Sequence, residues 1–63
     1  MKIRKYEISL NHRIEDIVAA AESIGCLHPE GESGPNGDTW IVTVKGENSH
    51  LWLREYNKIV GIK

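Results

Sequence analysis

Asn11–Gly25, N-H-R-I-E-D-I-V-A-A-A-E-S-I-G, is the stretch that decides the fold. Ile14, Ile17, Val18, Ala21 and Ile24 recur at the three- and four-residue spacing of one apolar helical stripe. Asn11 is suited to cap the first turn, because its side-chain oxygen can accept an orphan backbone N–H. Glu15 and Asp16 fall at the positive end of the macrodipole, and Gly25 suits the left-handed residue that closes a helix. A helix with one buried stripe needs a surface to lie on, and the rest of the chain is read for that surface.

Upstream, Tyr6, Ile8 and Leu10 alternate with Lys5, Glu7 and Ser9, the pattern of a half-buried strand. Downstream, Thr39–Lys45, T-W-I-V-T-V-K, is the clearest strand, with Trp40, Val42 and Val44 on one face and Ile41, Thr43 and Lys45 on the other. Gly46–Ser49 reads as a hairpin connection. His50–Tyr56 alternates again, Leu51 and Leu53 opposing His50, Trp52, Arg54 and Tyr56. A strand is preferred there to a helix capped by Ser49, because a helix would stack Leu51 on Glu55. Ile59–Lys63 reads as a last strand with Val60 and Ile62 pointing inward.

Residues 26–38, C-L-H-P-E-G-E-S-G-P-N-G-D, hold three glycines and two prolines and read as one long acidic loop. The order is then β-α-β-β-β. The class is α+β, a small two-layer sandwich with one helix packed on a three- to four-stranded, mainly antiparallel sheet. The helix would carry the first strand to a parallel or near-parallel partner by a right-handed crossover.

The 63 residues 1–63 suffice for a single domain. Ordering them costs roughly 1.5 kcal/mol each, on the order of 95 kcal/mol. Burial of about 3,500–4,000 Å² of apolar surface returns a similar sum. So thin a margin favours added support from a dimer partner or a bound target. One cysteine, Cys26, excludes an internal disulfide, and with no apolar leader or membrane-length segment it points to a reducing, cytoplasmic setting. The net charge of −1 conceals basic ends and an acidic middle: Glu15–Val44 carries six acids and no Lys or Arg.

Candidate chemistry is sparse. Cys26 and His28 lack the spacing of a zinc pair, and His12 and His50 would have to converge on them by folding, so no metal is expected. Cys26 follows the C-terminal end of the helix, where the dipole disfavours a thiolate, and reads as a structural cysteine. The acidic loop lacks both calcium-loop and phosphate-loop spacing. With no catalytic arrangement and little depth for a pocket, neither enzymatic activity nor a cofactor is expected.

One helix covers one face of a sheet, so the expectation settles on the uncovered face. Ile41, Lys45, Trp52, Arg54 and Tyr56 are its candidate binding residues, since Trp, Tyr and Arg dominate interface hot spots. The reading is a small non-enzymatic protein-binding module, an adaptor or inhibitor of a larger protein, with homodimerisation compatible and no role at a membrane. The alternative is nucleic-acid binding through an aromatic and basic sheet face, disfavoured by the acidic loop and the net charge.

Overall fold

The computed structural model describes residues 2–61. Its elements are β1 (Ile3–Ser9), α1 (Ile14–Ser23), β2 (Glu30–Ser33), β3 (Thr39–Lys45), a 3₁₀ turn (Ser49–Leu51) and α2 (Trp52–Val60). The sheet has three strands in the order β1-β3-β2, and both of its pairings are antiparallel. The α+β class and the strand count match the sequence reading. The order of elements does not, since the chain runs β-α-β-β-α. β1 and β2 do run parallel, but β3 lies between them.

Two segments account for the difference. The first is Glu30–Ser33, inside the stretch read as loop, which pairs with Trp40–Thr43. Nothing in E-G-E-S favours a strand, and all four residues are exposed. The turn supplies the pairing instead: Gly37 N–H donates to the Gly34 carbonyl and Gly34 N–H to the Thr39 carbonyl, which closes a hairpin on Pro35 and Asn36. The second is residues 50–60, read as a strand over 50–56 and the start of a last strand at Ile59, and found helical. Trp52, Tyr56 and Val60 lie four residues apart and put their side chains on one side of α2. The alternation of Leu51 and Leu53 with their neighbours is incidental to that stripe. Gly61, at φ 75°, ends the helix. Ile62 and Lys63 lie outside the described residues.

α1 is shorter than its pattern. Asn11 caps nothing: Arg13 holds the N-cap position without a side-chain capping bond, and Ile14 is 67% exposed. The C-terminal end is as read. Cys26 N–H donates to the Ala21 carbonyl and Gly25 N–H to the Glu22 carbonyl, with Gly25 at φ 72°. This is the Schellman arrangement, which satisfies carbonyls that the helix leaves unpaired.

Both helices lie on one face of the sheet. Ile8, Val42 and Val44 meet Ile17, Ala20 and Ala21 of α1 and Trp52 and Tyr56 of α2 in one core. The small Ala20 and Ala21 are fully buried, which lets α2 pack closely against α1. Tyr6, Ile24, the free thiol Cys26, Trp40 and Val60 pack around this centre. Leu10 and Leu53, read as inward, are exposed.

Candidate protein-binding edge

Of the five candidate binding residues, the structure leaves two on the open face. Ile41 and Lys45 lie there, on the central strand opposite the helices, and both are half-buried. Arg54 is exposed on α2, away from the sheet. Trp52 and Tyr56 are core residues, with 0% and 7% of their surface exposed. The Trp52 ring sits 5.1 Å from the ring of Tyr6 and stacks on Tyr56 at 4.8 Å, and its indole N–H donates to the Ile17 carbonyl. The expected aromatic contact surface is therefore a buried aromatic stack. Once 49–60 is a helix, the residues that would project from one face of a strand divide between core and solvent.

The open face is mixed in character. Cross-strand pairing sets Ile3, Lys5, Glu7 and Ser9 beside Lys45, Thr43, Ile41 and Thr39, with Glu30 and Glu32 beyond. Lys45 pairs with Glu30 at 3.2 Å, and Thr39 donates its hydroxyl to Glu7 at 3.1 Å. Three carboxylates stand there against two ammonium groups and no aromatic ring. A face so composed offers neither stacking platforms nor an excess of positive charge to a nucleic acid.

The backbone of β1 is more distinctive. Gly46 N–H donates to the Lys2 carbonyl at 2.8 Å, in phase with the pairs Arg4–Val44, Tyr6–Val42 and Ile8–Trp40. Antiparallel pairs alternate between those that exchange hydrogen bonds and those that do not. These even-numbered residues of β1 therefore bond to β3. The intervening Ile3, Lys5, Glu7 and Ser9 turn their N–H and C=O groups to the outer edge. The other side of β3 agrees, since Gly34 bonds to Thr39, in phase with Glu32–Ile41 and Glu30–Thr43. The Ser9 carbonyl is met by Nδ1–H of His12 at 3.0 Å. Among the described residues, the outward groups of Ile3, Lys5 and Glu7 meet no partner. They form an unpaired edge at least five residues long, and no proline interrupts it.

At the Glu7–Ser9 end of β1, touching this edge only at Glu7, runs an open groove of about 610 Å³. Ile8 and Ser9 of β1 form one wall and Leu53, Tyr56 and Val60 of α2 another, while His12, Arg13 and Asp16 at the entry to α1 close it with a polar third. Glu55 faces α1, where its carboxylate meets the Ser23 hydroxyl. Leu53, Asn57 and Val60 lie on the opposite flank of α2 by helical geometry and look toward the β1 side. Leu53 and Ile59 are 39% and 41% exposed and give the groove an apolar rim. Burial raises the pKa of both Tyr6 and Tyr56, and at Tyr56 the carboxylate of Asp16 adds to the effect.

The described residues hold no cluster of three or more His, Cys, Asp or Glu side chains able to take a metal, and no helix among them is long and apolar enough to cross a membrane. No protein-family model matches the chain, and no curated protein or solved structure shows significant similarity to it. The interaction surface must therefore be judged on geometry. Side-chain reasoning missed the β1 edge because the groups that matter are main-chain groups. The available signal was the alternation of Lys5, Glu7 and Ser9, which marks the strand but not which of its sides lacks a neighbour.

Proposed function

We propose that this chain is a small non-enzymatic protein-binding module of the cytoplasm that takes up an extended segment of another protein along β1. The observation that supports this reading is the unpaired main-chain edge at Ile3, Lys5 and Glu7, whose Glu7 end adjoins the groove between β1 and α2. A segment added there as a fourth strand gains main-chain hydrogen bonds from the edge. Every second side chain of that segment points down toward Leu53, Tyr56 and Val60, so alternate apolar residues would select it. The mode suits an adaptor or inhibitor that acts by surface contact alone.

The test is selection of binders from a displayed library of short peptides, followed by amide chemical-shift mapping on the chain. Selected peptides should shift and protect the amides of Ile3, Lys5 and Glu7. Lys5→Pro should abolish capture without unfolding, because the Lys5 N–H makes no bond to β3 and proline is tolerated at such an edge position. Peptides that map to the open face or to the outer side of α2, with these amides unmoved, would refute the reading.

A further inference from the structure

The edge of β1 is complementary in charge to a second copy of itself, and in one register. Two β1 strands laid antiparallel, with their outward main-chain groups facing, must pair odd-numbered residues with odd-numbered residues. The candidate registers then differ by two residues. With Lys5 opposite Lys5 of the other copy, two ammonium groups oppose each other. With Glu7 opposite Glu7, two carboxylates do. Between them lies the register with Lys5 opposite Glu7 and, by symmetry, Glu7 opposite Lys5. It gives two opposite-charge pairs on the open face, sets Ile3 beside Ser9, and places no like charges directly opposite.

We infer that the chain self-associates through β1 in this register, joining two three-stranded sheets into one continuous six-stranded sheet. Tyr6 of each copy falls on the two-fold axis, on the helix side of the sheet, and Arg4 lies opposite Ile8. The exposed Leu53 flank of each α2 then faces the other copy below the new strand pair. The interface is isologous, so it closes as a dimer and does not propagate. This inference rests on the strand-addition reading and names the occupant of the edge when no other protein is bound.

Sedimentation equilibrium from micromolar to millimolar protein tests it, together with amide exchange at both ends of that range. The intact chain should dimerise with rising concentration, and the amides of Ile3, Lys5 and Glu7 should exchange more slowly as it does. Lys5→Glu and Glu7→Lys should each weaken self-association by about tenfold or more, since each turns both cross-strand pairs into like-charge pairs. An equimolar mixture of the two variants should dimerise again, because each acidic pair on one chain meets a basic pair on the other. Circular dichroism of the separate variants checks that both stay folded. If either unfolds, the concentration dependence of the three amides in the unsubstituted chain decides. A chain that remains monomeric at millimolar concentration, or a dimer indifferent to both substitutions, overturns the self-pairing. Peptides that still protect the same three amides would then leave the strand-addition reading standing, and their failure to do so would remove both.

Discussion

Trp52 and Ile17 hold the two helices together: the indole N–H of the one donates to the backbone carbonyl of the other at 3.2 Å, inside the core. The ring also fills the space between Tyr6 and Tyr56. A domain of this length has only about 3–9 kcal/mol of stability at the usual 0.05–0.15 kcal/mol per residue. Trp52→Ala removes a large buried ring, at a cost of about 3–5 kcal/mol, and should remove a large part of that stability. Trp52→Phe keeps most of the ring and loses the donor, and should cost about 1–3 kcal/mol. Urea denaturation followed by far-ultraviolet circular dichroism distinguishes the two outcomes.

Gly31 gives a second, local test. A Cβ added there would overlap Nε1 of Trp40 and stand 2.7 Å from two further ring atoms. The ring of Trp40 thus occupies the space that a side chain at position 31 would need. It also stacks on the ring of His12 at 5.0 Å and cannot move without disturbing that contact. Gly31→Ala should destabilise the fold by about 1–3 kcal/mol, as overpacked sites do. Trp40 is half-buried and Trp52 fully buried, so the substitution should also shift the fluorescence emission to the red as Trp40 is pushed into solvent. An unchanged spectrum and melting temperature would show that the ring does not need the glycine.

The sequence made part of this legible and hid part of it, for physical reasons. Tyr6 and Ile8, and Trp40, Val42 and Val44, alternate because one face of each strand meets the core, and that period of two is visible without coordinates. The end of α1 was equally plain, because Gly25 adopts the left-handed conformation that glycine makes cheap. Residues 50–56 satisfied two periods at once. A seven-residue window with Leu51 and Leu53 at odd positions and aromatics at even ones fits a strand, while Trp52 and Tyr56 fit a helix; tertiary packing on α1 decided. Glu30–Ser33 is a strand only because β3 lies beside it, and its own residues carry no strand preference. The open face was correctly expected to hold Ile41, Thr43 and Lys45. Its edge, made of main-chain groups, leaves no mark on residue type.

Alkaline pH should weaken the fold through two tyrosines. Burial favours the neutral phenol, so Tyr6 and Tyr56 ionise in the folded chain only above the ordinary tyrosine value of about 10. Below that value both states keep the proton and the contribution to stability is complete. As pH rises past it, the unfolded chain releases its protons first, so stability falls through the window up to the raised folded values. The urea midpoint should accordingly drop from about pH 10 upward, and Tyr6→Phe should make the drop shallower. Tyrosinate absorbance in the folded chain should lag behind that of the urea-unfolded chain over the same range. Coincident titration curves would contradict the burial argument.

Leu53 and Arg54 are neighbours in sequence and separate in consequence. Leu53 is 39% exposed on the α2 flank that lines the groove, whereas Arg54 faces solvent away from it. Reading residues 50–56 as a strand makes Arg54 a contact and Leu53 core. The helix reverses both assignments. Leu53→Lys puts a charge where an added strand would place its apolar side chains, and should weaken capture of selected peptides by about tenfold or more, since an ammonium loses hydration against apolar groups. Being already partly exposed, Leu53 should cost less than about 1 kcal/mol of stability on replacement. Arg54→Ala should leave both peptide affinity and stability within error, since the side chain has no partner among the described residues that folding would lose. Isothermal titration of one selected peptide against the two variants reads the difference. The reverse pattern, loss on Arg54→Ala with Leu53→Lys silent, would move the binding surface from the groove to the outer side of α2.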